Sequence, residues 1–145
     1  MKRLTTAAIL IACGAGVVLA DTDVIAERQA LMKNDGMAAK KLVDMTRGTV
    51  PFDLAVVQAS LKTFAAAAEK EPTLFPDNSK TGGKTAALPS IWQNKADFNA
   101  RFVKFGKDVA AAQAAIVDEA SFKKVAPSLF QNCGGCHELY KAKSG

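Results

Sequence analysis

The spacing of apolar and polar positions predicts four long helices in a chain of 145 residues. The first is expected over 23–47, the second from after Pro51 to about Glu69, the third over 95–118 and the fourth over 121–143. In each segment apolar side chains recur three or four residues apart, which places them on one face of a helix. The apolar stripe of the first helix consists of Val24, Ile25, Leu31, Met32, Ala38, Ala39, Leu42, Val43 and Met45.

The segment between the second and third predicted helices does not continue this pattern. Pro72 and Pro76 interrupt any regular helix over residues 70–94. Apolar residues within the segment predict that it packs on the helices as an irregular connection. Two short connections and one long one favour an all-α fold, an antiparallel up-down-up-down four-helix bundle over residues 21–145.

Residues 1–20 have the pattern of a cleaved signal peptide. Lys2 and Arg3 precede an uncharged apolar run, and Val18-Leu19-Ala20 ends it with small residues at the positions a signal peptidase reads. We therefore expect cleavage after Ala20 and export to the periplasm. A retained membrane anchor fits less well because the run is barely long enough to span a bilayer.

Cys13 leaves a second possibility open for this leader. Residues 10–13 resemble the lipidation signal of bacterial lipoproteins. The apolar run continues past Cys13, however, whereas a polar stretch usually follows a lipidated cysteine. Cleavage after Ala20 is the favoured prediction, and no stable membrane anchor is expected.

The basic charge of the chain does not indicate a nucleic-acid partner. Loss of Lys2 and Arg3 with the leader lowers the formal charge from +5 to +3. Lysines and arginines also form no basic stripe interleaved with aromatic residues.

The strongest chemical signal is Cys133-Gly134-Gly135-Cys136-His137, near the end of the last predicted helix. This motif is typical of covalent attachment of haem c, in which two thiols bond the vinyl groups and the imidazole ligates iron. A thioredoxin-like pair would require a βαβ unit, which the pattern lacks. A zinc site would need further ligands, and His137 is the only histidine.

Three methionines of the first helix are candidates for the other axial position on the iron. In an up-down-up-down bundle the start of the first helix and the end of the fourth lie at the same end. Met32 lies at that end and on the apolar stripe. Met37 lies off the stripe among lysines, and Met45 lies too far along the helix. We therefore expect His137 and Met32 to be the iron ligands, with core packing as the alternative for Met32.

Taken together, the motif and its surroundings resemble the cytochrome c′ family, the class II c-type cytochromes. The resemblance covers essentially all of residues 21–145 and includes Arg28-Gln29, Gly82-Gly83 and the segment 88–92. It implies a four-helix bundle with covalent haem c near one end. Most members have high-spin iron with an apolar residue on its open side. The methionine at position 32 resembles the low-spin branch, in which methionine is the sixth ligand.

Two further positions bear on the resemblance. Arg28 is a candidate for a charge-assisted bond to a haem propionate, and an ordinary exposed helix arginine is the alternative. Lys141 departs from the arginine that high-spin members usually carry after the aromatic near the motif. Lysine keeps the charge but loses the planar fork, which weakens the analogy to gas-binding members.

These observations predict a periplasmic electron-transfer protein that interacts with redox partner proteins. The alternative is a high-spin protein that binds nitric oxide or carbon monoxide. We do not expect an enzyme such as a peroxidase, because His137 is the only histidine and the iron uses it. Family members often dimerise through the first two helices, so a homodimer is possible.

Overall fold

The computed structural model describes the backbone of residues 18–143 and the side chains of residues 24–143. Its helices are α1 (Val18–Thr46), α2 (Leu54–Lys70), the short α3 (Ser90–Gln93), α4 (Lys95–Ala115) and α5 (Glu119–Tyr140). Helices α1 and α4 each pack against both α2 and α5. The four long helices therefore close into the predicted antiparallel bundle.

The predicted leader lies mostly outside the part of the chain that the structure describes. Residues 1–17, including Cys13, are not described, so the cleavage and lipidation predictions stay predictions. Within the described residues, no helix combines the length and the apolar character needed to cross a membrane.

The predicted start of the first helix at Asp23 is wrong, because α1 begins at Val18. The reason is that Val18, Leu19 and Ala20 contain no helix breaker, so the helix continues back beyond the aspartates that we expected to cap it. The end of this helix is close to the prediction, since Gly48 follows with φ 72°.

Asp118 begins a helix rather than ending one, which corrects two predicted boundaries. Helix α4 ends at Ala115, and Asp118 is the N-cap of α5. Its side chain accepts a hydrogen bond from the Ser121 backbone amide at 2.8 Å, and the Ser121 hydroxyl accepts one from the Asp118 amide at 3.0 Å. This reciprocal capping satisfies two amides that the helix itself cannot satisfy.

Helix α5 ends at Tyr140 and not near residue 143 as predicted. The chain then pairs with the long connection: the Ala142 amide donates to the Ala86 carbonyl at 2.8 Å, and the Leu88 amide donates to the Tyr140 carbonyl at 3.0 Å. This pairing satisfies backbone groups that another helical turn would otherwise have used. It also ties the connection to the helix that carries the cysteine motif.

One half of the bundle has a purely apolar interior, which we call the distal core. All four long helices contribute to it, and its side chains are almost fully buried. The distal core consists of Ala38, Leu42, Met45, Val57, Leu61, Phe64, Val109, Ala112, Ile116, Phe122, Ala126 and Leu129.

The other half of the bundle, which we call the motif end, has an aromatic cluster between the connection, α4 and the end of α5. The cluster consists of Phe75, Ile91, Phe98, Phe102 and Tyr140, with Ala87, Trp92 and Cys136 packed against it.

Two side chains fasten the connection to this aromatic cluster. The Trp92 indole donates to the carbonyls of Phe75 and Pro76 at 3.1 and 3.0 Å, which supports a packing role for Trp92. The Lys95 ammonium donates to the same Phe75 carbonyl at 3.0 Å and lies over the Phe98 ring. One carbonyl oxygen and two aromatic faces therefore hold this lysine against the cluster.

Candidate haem site

The cysteine motif forms one turn of α5, so its reactive side chains share a face. Cys133, Cys136 and His137 are related by spacings of three and four residues within the helix, which brings them side by side. Both thiols are half-buried and neither forms a disulfide. All three side chains line the same cavity.

That cavity has a volume of about 750 Å³ and lies between α1, α4 and α5. A smaller hollow of about 190 Å³ adjoins it on the side of the aromatic cluster. Met32, Phe102, Cys136 and His137 line both spaces. The larger volume lies within the range of pockets that hold small cofactors, and mostly apolar side chains line both.

The protonation of the motif suits ligation better than thiol redox chemistry. Burial raises the pKa of Cys136 to about 11 and also raises the pKa of Cys133, whereas reactive dithiols have a lowered pKa. Burial and the nearby charge of Lys141 lower the pKa of His137. The imidazole is therefore neutral at pH 7 and has a lone pair to offer a metal.

Met32 is the only methionine of α1 that lines the cavity. It lines both the cavity and the smaller hollow from α1, and it is 36% exposed. Met45 is 6% exposed and belongs to the distal core, while Met37 is 51% exposed and lines neither space. Of the three candidate methionines, only Met32 therefore lies on the cavity wall, and its ligation of iron stays a prediction.

Comparison with known proteins now identifies the family. The family model described as Cytochrome C' matches residues 23–141. The chain belongs to the cytochrome c′ family. A cytochrome c′ from Rhodopseudomonas palustris is 47% identical over 141 residues, which cover 97% of each protein. A cytochrome c-556 from Agrobacterium fabrum is 38% identical over 146 residues, which cover 99% of this chain and 98% of that protein.

A solved structure confirms the fold at the same level of similarity. Cytochrome c′ from Rhodopseudomonas palustris aligns with a TM-score of 0.82 at 47% identity, covering 85% of this chain and 98% of that one. The cofactor of the family is covalent haem c with its iron. The residues of this chain fit that group, because two thiols and a neutral imidazole share one edge of an apolar cavity.

Arg28, the other predicted site residue of this cytochrome c′ family member, is buried rather than exposed. Only 4% of it is accessible, and it lies over the Phe75 ring at 4.6 Å. Its guanidinium donates to the Leu74 carbonyl, the Ser79 hydroxyl and carbonyl, and the Thr85 hydroxyl at 2.7–3.1 Å. The exposed-arginine alternative is wrong because the connection supplies these acceptors. A bond from Arg28 to a haem propionate remains a prediction.

Arg101 on α4 contacts the motif, and the sequence around Arg101 does not predict this contact. Its guanidinium donates to the Gly135 carbonyl at 3.2 Å and to the Asp97 carboxylate at 2.7 Å. The Tyr140 hydroxyl donates to the same carboxylate at 2.5 Å. The four-residue spacing of Asp97 and Arg101 suggests an ion pair within α4, but only the packing of α4 on α5 brings that pair to the motif.

The sequence analysis also did not predict that two acidic residues lie in the cavity wall. Asp35 on α1 and Glu71 at the end of α2 line the cavity beside the motif. Asp35 follows the polar residues Lys33 and Asn34 in a helix, and Glu71 precedes a proline, so each is expected on a solvated surface. The packing of the connection on α1 buries them instead.

Proposed function

We propose that this protein is a periplasmic one-electron carrier in which His137 and Met32 are the axial ligands of the haem iron. One observation carries the proposal: Met32 on α1 and His137 on α5 line both parts of the cavity from different helices. An iron atom held at the junction of the two spaces could bind both side chains. Overall similarity does not choose between the branches, since relatives carry both the c′ and the c-556 names.

Each residue has a defined task in this proposal. The bound haem supplies a one-electron couple between Fe(III) and Fe(II). Cys133 and Cys136 tether its edge to α5, His137 offers a ring nitrogen from the same turn, and Met32 offers a sulfur from α1. Because both ligands belong to packed helices, they hold their places in both oxidation states. Thioether ligation favours Fe(II) and raises the reduction potential.

Binding of nitric oxide or carbon monoxide at an open iron site is the second candidate function. The 47% identity to a protein named cytochrome c′ favours it. In that case Met32 only lines the cavity and does not ligate. The two functions differ in coordination number, so spectroscopy separates them.

The test compares absorption spectra of the oxidised and reduced wild-type protein with those of Met32→Ala. We expect low-spin wild-type iron, and a high-spin ferrous variant that binds carbon monoxide and has a lower potential. Met37→Ala is the matched control, because Met37 lies five residues along the same helix and lines neither space; it should resemble wild type. High-spin wild-type iron that Met32→Ala leaves unchanged would make gas binding the better conclusion.

The location and partners belong to the same proposal. A signal peptide over residues 1–20 would direct the chain to the periplasm, where haem attachment is completed. N-terminal sequencing of native protein should begin at Asp21, whereas an acylated Cys13 would support the lipoprotein alternative. Redox partner proteins would approach the exposed cations Lys141 and Lys143 near the motif. Sedimentation of the haem-loaded protein tests for a homodimer.

A further inference from the structure

Two carboxyl groups in the wall of the haem cavity have oxygens without hydrogen-bond partners. Glu71 begins the 3-10 turn Glu71–Leu74 and is only 1% exposed, and Asp35 on α1 is half-buried. Within the described chain, Oε1 of Glu71 and Oδ1 of Asp35 are buried and accept no hydrogen bond. Such atoms are costly in a native protein unless the group holds a proton or has a ligand.

The surrounding charges do not compensate these two carboxyl groups. The turn that contains Glu71 packs against α1, α2 and α4. The other titratable and charged groups of these elements and of α5 that face the cavity or the turn are Arg28, Lys70, Arg101, Lys104, Asp108, Cys133, Cys136 and His137.

Most of the cations in this set have other partners in the described chain. Lys70 pairs with Glu27 at 3.2 Å, Arg101 pairs with Asp97, and Lys104 pairs with Asp108. Arg28 donates its hydrogen bonds to the connection. No ion pair to Glu71 or Asp35 is present among the described side chains, and the charge that acts on Glu71 is the negative charge of Asp35.

The two groups consequently favour the protonated form. Burial, and to a smaller extent the negative charge of Asp35, raise the pKa of Glu71 to about 8. Burial alone raises the pKa of Asp35 to about 6. The pKa of Glu71 therefore lies close enough to neutral pH for a nearby change of charge to alter its protonation, while Asp35, which solvent can reach, ionises at lower pH.

We propose that Glu71, with Asp35 beside it, takes up one proton from solvent when the haem iron gains one electron from a donor protein, and releases that proton when the electron leaves. Ferric haem carries one positive charge more than ferrous haem. That charge disfavours a proton on a neighbouring buried acid, because charges interact strongly in a poorly solvated cavity. Reduction removes the charge, and the arriving proton compensates the arriving electron.

This inference rests on the one-electron function proposed above, but it does not depend on Met32 as the sixth ligand. It predicts that the reduction potential falls as pH rises between the pKa of Glu71 in the oxidised protein and its pKa in the reduced protein. For one proton per electron the limit is about 59 mV for each tenfold change in proton concentration. Outside that interval, Glu71 contributes no pH dependence.

The experiment measures the reduction potential of the haem-loaded protein by voltammetry from about pH 5 to about pH 10, which brackets an acid with a raised pKa. Wild type should show the sloped region. Glu71→Gln should lose it, because the amide has a similar shape but cannot titrate. Asp35→Asn should keep the slope but move it to lower pH, because the charge that favours the proton on Glu71 is gone.

Glu69→Gln is the matched control, since Glu69 is an exposed residue of α2 two positions before Glu71; it should behave as wild type. An infrared difference spectrum of wild type offers a readout that needs no variant. Reduction should increase the carbonyl band of a protonated carboxylic acid, the band should shift in D₂O, and Glu71→Gln should lack it.

The outcomes distinguish this inference from the carrier function. A reversible haem couple whose potential is independent of pH would overturn proton uptake and leave electron transfer standing. A slope that persists in Glu71→Gln would assign the proton to another group, such as a haem propionate, and would also overturn the inference. A haem that cannot be reduced and re-oxidised reversibly would overturn the carrier function as well.

Discussion

The distal core and the motif end hold the same four helices together with different kinds of side chain. The distal core is apolar throughout, and residues such as Val57, Leu61 and Val109 have no exposed surface. The motif end combines aromatic packing with the buried polar residues Arg28 and Glu71, and the cavity of about 750 Å³ beside it extends to Phe64 and Ala112 of the distal core. One end can therefore be stable without a cofactor, whereas the other is built to surround one.

The difference extends to the hydrogen bonds of buried polar groups. In the distal half, the buried Ser60 hydroxyl bonds the Val56 carbonyl of its own helix at 2.9 Å. At the motif end, Arg28 reaches across 46 to 57 residues of sequence to the connection. Long-range polar contacts of this kind specify a single arrangement, but they tolerate little change because each partner is buried.

Removal of both thiols should have the largest effect, and this effect should be confined to the motif end. Cys133→Ala with Cys136→Ala cannot form thioether bonds, so covalent haem should be lost completely. Intact mass should equal the bare polypeptide, and amide hydrogen exchange should accelerate at the motif end while the distal core stays protected. Gly134→Ala is the control within the motif, since a Cβ there meets no atom within 4 Å. Equal loss of protection at both ends would contradict the comparison.

Phe122→Ala should destabilise the distal core and leave the haem site unchanged. The ring is fully buried in the distal core and contacts Phe52 with centroids 5.6 Å apart. We expect a loss of about 3–5 kcal/mol in the free energy of unfolding, measured by denaturant titration, with an unchanged haem spectrum. Val117→Ala, at a position 66% exposed, should change stability by less than about 0.5 kcal/mol. A changed haem spectrum in Phe122→Ala would show that the two ends are coupled.

Arg28→Ala should weaken the motif end selectively. It removes the donor for the Leu74 carbonyl and for Ser79, and each buried acceptor left unpaired costs about 1–3 kcal/mol. Thermal unfolding should shift downward, and exchange in the connection should rise. Gln29→Ala is the neighbouring control, because Gln29 is exposed and bonds only the carbonyls of the Gly83-Lys84 turn. An equal loss of stability in both variants would mean that the hydrogen bonds of Arg28 do not hold the connection in place.

The smallest effect is expected from a pair of glycines in the connection. Both Gly82 and Gly83 have positive φ, 96° and 54°, so alanine is strained at either position, by about 1–2 kcal/mol in the left-handed helical region. A Cβ on Gly83 would also lie 2.8 Å from Ile25 Cγ2, whereas one on Gly82 would meet nothing within 4 Å. Gly83→Ala should therefore be the less stable variant in denaturant titration. Equal free energies of unfolding in the two variants would mean that the Ile25 side chain can move away from the new Cβ without destabilising the fold.

The sequence alone determined the bundle and the chemistry of attachment, because both depend on local spacing. Helical periodicity placed Met32 on the inward stripe, and the spacing of three and four residues brought Cys133, Cys136 and His137 to one face of a helix. These features follow from the geometry of a single helix, so they can be predicted without knowledge of its neighbours.

The tertiary structure decided where the helices end and what surrounds the site. Lys141 pairs with Ala87 instead of extending α5, and Arg28 is buried because acceptors some fifty residues away converge on it. The raised pKa of Glu71 likewise comes from burial by packed elements and, to a smaller extent, from the charge of Asp35 on α1. The burial and the pKa of a side chain depend on neighbours that are distant in sequence, and therefore no local sequence pattern predicts them.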